Sequence, residues 1–237
     1  MSDVALSRRL LAEGFGTAFL LAIVVGSGVM AERLSTGNVA LALLANALAT
    51  GAGLFALIQM LAPVSGAHFN PAVSLAMLLR GELSARDALA YGAIQIAGAL
   101  IGVAAAHAMF DLSLFSLSQH PREGFSQAWS EFVATFGLLL VIFGASRQGT
   151  MSVALAVAAY IASAYWFTAS TSFANPAVTL ARALTDTFAG IRPSDAPIFV
   201  LAQFVATFAA VFVGRVLFPL SGEDSHIGRR HRPDARH

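Results

Sequence analysis

Asn70 and Asn175 each stand directly before Pro-Ala, in the stretches Ser65-Gly66-Ala67-His68-Phe69-Asn70-Pro71-Ala72-Val73 and Thr171-Ser172-Phe173-Ala174-Asn175-Pro176-Ala177-Val178. Asparagine is a preferred helix N-cap, and proline suits the first helical position because its missing N–H is one that a first turn leaves free. Each triplet therefore predicts a helix start. If the side-chain oxygen caps its own helix, the NH₂ group is left to face a lumen, where two such donors would bind the oxygen of a neutral solute. Two further pairs carry chemistry: Glu13 with Glu131, and Gln95 with Gln203. The carboxylates admit two readings, a proton or ion relay or a brace accepting hydrogen bonds from the Asn-Pro-Ala segments. The glutamines read as interhelical ties. His68 is either a proton sensor or a structural group with one edge on the lumen.

The elements that position these groups are unusual in length. The run after Pro71 stops at Arg80-Gly81 and the run after Pro176 stops near Leu184-Thr185-Asp186. Nine or ten helical residues reach only ~14 Å, about half of a ~30 Å hydrocarbon core. Half-helices are thus expected at 71–79 and 176–184. The backbone before them, Gly66, Ala67 and His68 in one copy and Phe173 and Ala174 in the other, must be non-helical at membrane depth. That is tolerated where backbone lines a water-filled cavity, and its carbonyls are expected to form a ladder of acceptors. Two half-helix N-termini opposed at the midplane place partial positive charge at one point, which disfavours cations.

With 57% apolar residues, 11% charged and a mean hydropathy of +0.73, the chain departs far from the roughly 25% charged of soluble domains. It reads as an integral membrane protein. Six stretches are long enough to span, roughly 10–30, 40–61, 88–109, 127–146, 151–169 and 197–219. The first is too long, and with Glu13 too acidic, for a secretory leader. The order span, span, half-helix, span occurs twice. Because three spans is an odd number, the second copy enters from the opposite side, giving an inverted repeat. The expected divisions are an N-terminus at 1–9, a first repeat at 10–110, an extracytoplasmic connection at 111–126, a second repeat at 127–219 and a basic tail at 220–237. All 14 basic residues are arginine, and ten against four fall on the side shared by the termini, which puts both termini in the cytoplasm. A net charge of +1 and no basic patch with interleaved aromatics argue against nucleic acid. The absence of cysteine excludes disulfides, thiol catalysis and thiolate metal sites, and the histidines lack companions for a metal. No cofactor, metal site or enzymatic activity is expected.

On the two Asn-Pro-Ala corners, the Ser65-Gly66-Ala67-His68 run and the Glu and Gln echoes, the chain resembles the aquaporin and glycerol-facilitator (major intrinsic protein) family over about residues 8–219. The resemblance implies an all-α membrane protein. It would be a right-handed bundle of six transmembrane helices and two re-entrant half-helices, with a pore in each subunit of a homotetramer in the inner (plasma) membrane. It also implies a pore constriction at Asn70, Pro71, Ala72, Asn175, Pro176 and Ala177. Counting back from the corners as family spacing does puts the selectivity filter on Thr50, Ser163, Ser172 and Val178. In the family the last of these is nearly always arginine. A ring of Thr, Ser, Ser and Val implies a wide, weakly polar filter, similar to bacterial aquaglyceroporins of arsenic-resistance operons that lack this arginine. The implied function is a passive channel for glycerol-like polyols, arsenite, methylated arsenicals and water. The alternatives are a proton-coupled transporter using Glu13 or Glu131, a water-selective aquaporin, and a junctional protein with a closed pore. Arg182, one turn beyond Val178, either supplies the missing charge or has a structural role at the interface or outer loop.

Overall fold

The computed structural model describes residues 4–219; the basic tail at 220–237 lies outside the described residues. Eight helices follow in order: α1 Leu6–Leu34, α2 Val39–Ser65, α3 Pro71–Leu79, α4 Ala85–Met109, α5 Phe125–Ser146, α6 Thr150–Phe167, α7 Pro176–Arg182 and α8 Ala196–Leu217. Six are long and apolar enough to cross a membrane. The short helices α3 and α7 take the same place in each half, so the chain is an inverted repeat of long, long, short, long. It is an all-α, multi-pass membrane protein.

The spans extend a few residues past the apolar runs because arginines at their ends find partners. Arg9 pairs with Asp87 at 2.7 Å, and Arg33 donates to the Phe110 carbonyl at 3.0 Å. The second half-helix is shorter than the expected 176–184. It ends at Arg182 because the Arg182 carbonyl accepts from the Ile191 N–H, at 3.3 Å, in place of a further helical turn.

Packing follows the repeat. In the first half α1 lies against α2 and α4, in the second α5 lies against α6 and α8, and α2 meets α6 between halves. The contact of α1 with α4 is unusually close. A Cβ on Gly98 or Gly102 would collide with the backbone carbonyls of Gly14 and Ala18, so the spacing Gly-x-x-x-Gly lets the two backbones touch. Each half-helix packs on the last long helix of both halves, α3 on α4 and α8, α7 on α8 and α4. Large apolar side chains such as Leu48, Leu89, Phe125, Leu201 and Phe212 point outward, as a lipid-facing surface requires. The polar groups are at the centre, where Glu13, Thr17, Gln95, Glu131, Thr135, Gln203 and Thr207 are all fully buried.

The connection after α4 is not a free loop. It folds back over the second half-helix, with the Ser116 and Ser118 N–H groups on the Leu184 and Ala183 carbonyls at 3.0 Å. Arg122 reaches the Gly190 and Ser170 carbonyls at 2.8 and 2.9 Å.

Candidate functional site

Both asparagines cap their helices. Asn70 Oδ1 accepts from the Ala72 N–H at 2.9 Å, and Asn175 Oδ1 accepts from the Ala177 and Val178 N–H groups at 3.0 and 3.3 Å. Their NH₂ groups are not wholly free, contrary to the expectation from the capping geometry alone. Asn70 Nδ2 donates to the Ala174 carbonyl at 2.7 Å, and Asn175 Nδ2 returns a bond to the Phe69 carbonyl at 2.8 Å. One hydrogen of each amide thus ties the two corners together, and a second remains for the cavity that both residues line.

The loops before the corners are held from behind. Glu13 accepts from Ser65 Oγ at 2.6 Å, the His68 N–H at 2.9 Å, the Phe69 N–H at 2.6 Å and Gln95 Nε2 at 2.9 Å. Glu131 accepts from the Phe173 N–H at 2.9 Å, the Ala174 N–H at 2.8 Å and Gln203 Nε2 at 2.6 Å. The same glutamine nitrogens reach Ser74 Oγ and Thr179 Oγ1, one turn into each half-helix. Neither carboxylate lines the cavity. These bonds hold Ala67, Phe69, Ser172 and Ala174 at φ between 47° and 53°, a left-handed region that costs residues with a Cβ about 1 kcal/mol or more each.

That geometry turns the carbonyls. In a trans peptide the C=O points opposite to the following N–H. Because the N–H groups of His68 and Phe69 aim at Glu13, the Ala67 and His68 carbonyls point away from it. By the same reasoning the Ser172 and Phe173 carbonyls point away from Glu131. All four residues line the cavity, with Gly66. The Ala174 carbonyl, expected in this ladder, is instead the acceptor of Asn70. His68 Nδ1 lies 3.1 Å from Ser74 Oγ and the ring meets Tyr91 edge-on at 5.3 Å.

The cavity itself is about 490 Å³ and runs between the halves. At one end it is lined by Met77, Glu82 and Ser146, and at the opposite end by Thr50, Tyr165, Ser172, Val178 and Arg182. One expected filter residue is absent from it. Ser163 is exposed on the outer face of α6, where its hydroxyl donates to the Tyr160 carbonyl at 2.8 Å. The reason is helical phase: α6 lines the cavity with Val153, Val157, Ile161 and Tyr165, four apart, and Ser163 falls two residues off that stripe, on the far side. Tyr165 takes the place, with its hydroxyl 3.3 Å from Thr50 Oγ1. The stripe itself was readable in the sequence and would have found it.

Arg182 is 2% exposed, so it does not reach headgroups. Its Nε donates to the Ala189 carbonyl in the outer loop and its guanidinium lies over the Phe173 ring, 3.4 Å from the centroid. Arg182 thus ties the outer loop and lines the cavity.

Two corners tied together and lining one cavity point to a known architecture. The family model described as major intrinsic protein matches residues 1–151. The chain belongs to the major intrinsic protein family. Within it, the chain is 52% identical to aquaglyceroporin AqpS of Rhizobium meliloti (strain 1021) over 217 residues, 92% of this chain and 93% of that protein. It is 30% identical to glycerol uptake facilitator protein-like 6 of Lactiplantibacillus plantarum, covering 89% of this chain and 98% of that one. The X-ray structure of the aquaglyceroporin from Plasmodium falciparum superposes with a TM-score of 0.73 at 20% identity, over 91% of this chain and 98% of that chain. That last likeness concerns the fold. As a major intrinsic protein the chain is a channel-class membrane protein.

Proposed function

We propose that the chain is a passive channel for small neutral solutes, glycerol-like polyols and undissociated arsenite among them, with methylated arsenicals and water as further permeants. The observation that carries this is the cavity of about 490 Å³ passing the tied asparagines, whose lining combines Asn70 and Asn175, the loop residues that turn their carbonyls away from Glu13 and Glu131, and aliphatic Val157, Ile161 and Val178. A lining that mixes hydrogen-bonding and aliphatic groups suits solutes that carry several hydroxyls on a small frame. We read Thr50, Tyr165, Ser172 and Val178 as the filter. The similarity to an aquaglyceroporin over 92% of the chain supports the polyol reading. A proton-coupled transporter is disfavoured, because Glu13 and Glu131 have their oxygens filled by donors and stand behind the loops. A homotetramer with a pore in each subunit, lying in the inner membrane with both termini cytoplasmic, completes the proposal. Divisions of the chain at 10–110 and 127–219 as the two repeats belong to it as well.

The test is stopped-flow flux in proteoliposomes across water, glycerol, urea and arsenite, with proton leak measured in parallel. Glycerol and arsenite flux well above protein-free vesicles, without proton leak, is expected. Water flux alone would favour a water-selective channel, and no flux of any kind would favour a closed junctional protein.

A further inference from the structure

We infer that Arg122, which belongs to neither repeat, is a positioning residue for the second re-entrant loop. It does there what the Tyr91 hydroxyl does for the first loop, and so fixes the Ser172 and Phe173 carbonyls at the cavity. The effect on flux rests on the channel reading, while the tie itself rests on the geometry alone.

The inverted repeat sets each loop residue against a counterpart. Gly66, Ala67 and Phe69 stand four, three and one residues before Asn70, with φ of 90°, 53° and 48°. Thr171, Ser172 and Ala174 stand equally far before Asn175, with φ of 60°, 53° and 47°. The two backbones therefore follow the same path. Behind them, Ser65 Oγ accepts from the Ala67 N–H at 3.1 Å and Ser170 Oγ from the Ser172 N–H at 3.2 Å. Matching Gln95 with Gln203 sets Tyr91 of α4 against Phe199 of α8, four residues earlier in each helix. Tyr91 meets the His68 ring edge-on at 5.3 Å, and Phe199 meets the Phe173 ring edge-on at the same distance.

The correspondence fails at two points that lie side by side. Tyr91 donates its hydroxyl to the Ser65 carbonyl at 2.9 Å, whereas Phe199 has no hydroxyl to offer the Ser170 carbonyl. Gly66 adopts a positive φ freely, whereas Thr171 is β-branched and strained there. Arg122 answers both. Its Nη1 donates to the Ser170 carbonyl at 2.9 Å and to Thr171 Oγ1 at 3.4 Å. Arg122 is itself anchored, by Nε on the Gly190 carbonyl and by its backbone N–H on Asp195, both at 2.8 Å. Its guanidinium also lies over the Phe173 ring, 4.9 Å from the centroid. The second loop has more backbone to restrain, because α6 ends eight residues before Asn175 and α2 only five before Asn70. A released Thr171 would return to negative φ and swing the peptides that follow, taking the Ser172 and Phe173 carbonyls off the cavity. Glycerol, with several hydroxyls to place, would lose more by this than water.

Arg122→Met, which keeps much of the apolar length and none of the donors, tests the tie in the full-length protein by two measurements. Amide exchange at Phe173 and Ala174 in nanodiscs should accelerate at least about fivefold, the population change that releasing one strained residue allows. The glycerol-to-water flux ratio in proteoliposomes should fall several-fold. Adding Phe199→Tyr to Arg122→Met supplies the missing hydroxyl, and adding Thr171→Gly removes the strain. Each should bring both measurements back toward the parent, which a general loosening of the outer connection would not do. A parental value of either measurement in Arg122→Met overturns the inference, as does a loss that neither second substitution restores. Should Arg122→Met fail to assemble, assembly regained in either double variant supports the tie and assembly in neither overturns it. Absence of glycerol flux in the parent would overturn the channel reading, with amide exchange alone then deciding the tie.

Discussion

The side-chain amide of Asn70 donates to the carbonyl of Ala174, 104 residues away, at 2.7 Å. With its counterpart from Asn175 to Phe69, this bond makes each corner part of the other's structure. Asn70→Asp separates the two duties of the side chain. It keeps an oxygen for the Ala72 N–H but replaces the donor facing Ala174 with an acceptor. A loss of about 1–3 kcal/mol is expected, the cost of one buried group left unmatched. Thermal unfolding in detergent reads it, and an unchanged midpoint would refute the tie.

Glu131→Gln distinguishes a brace from a relay. A neutral amide presents an NH₂ to N–H groups that need acceptors, so roughly 3 kcal/mol or more of stability should be lost and assembly should suffer. Should the variant assemble, pass water and yet lose all solute uptake, coupled transport would become the better reading.

Val178→Arg adds bulk and charge where the cavity has an aliphatic wall. Glycerol and arsenite flux should fall by at least about tenfold while water flux is spared. Tyr165→Ala should act in the opposite direction, widening the same level. Equal fluxes in parent and variants would remove Tyr165 and Val178 from the filter.

Asp195, at the start of α8, ties the outer loop. Burial pushes its carboxyl up, but the Arg122 N–H, Arg192 and Ser194 outweigh this and hold it below the usual carboxylate range. A group depressed on folding contributes stability that is present above its unfolded value of about 3.9 and is lost as pH falls through the folded one. Amide exchange around Arg122 should therefore accelerate below about pH 4, and Asp195→Asn should remove that step. A pH-independent rate in the parent would contradict it.

A chain with no cysteine offers mercurials no thiol. Solute flux should be unaffected by mercury, and inhibition that thiols reverse would count against this.

How much of this was legible beforehand depended on whether the signal was local. Asn70-Pro71 and Asn175-Pro176 announce helix starts through their own chemistry, and the run lengths after them say half-helix. Glu13 and Glu131 are conspicuous because a carboxylate in an apolar run has to be explained. Counting back from a corner points to Ser163 because it assumes a fixed loop between α6 and the corner, whereas the helix's own phase puts Tyr165 inward and leaves Ser163 exposed. The Asn70 amide and the burial of Arg182 were out of reach for another reason. Each depends on where a distant carbonyl, Ala174 or Ala189, comes to rest, and no local spacing encodes that.

The crossed asparagine bonds also order events during synthesis. The ribosome delivers Asn70 long before Ala174, so the first re-entrant loop enters the bilayer with its amide unanswered and the Phe69 carbonyl bare. Membrane insertion of the first half therefore cannot yield a finished half-conduit. Both loops settle together, once the final third of the polypeptide has arrived.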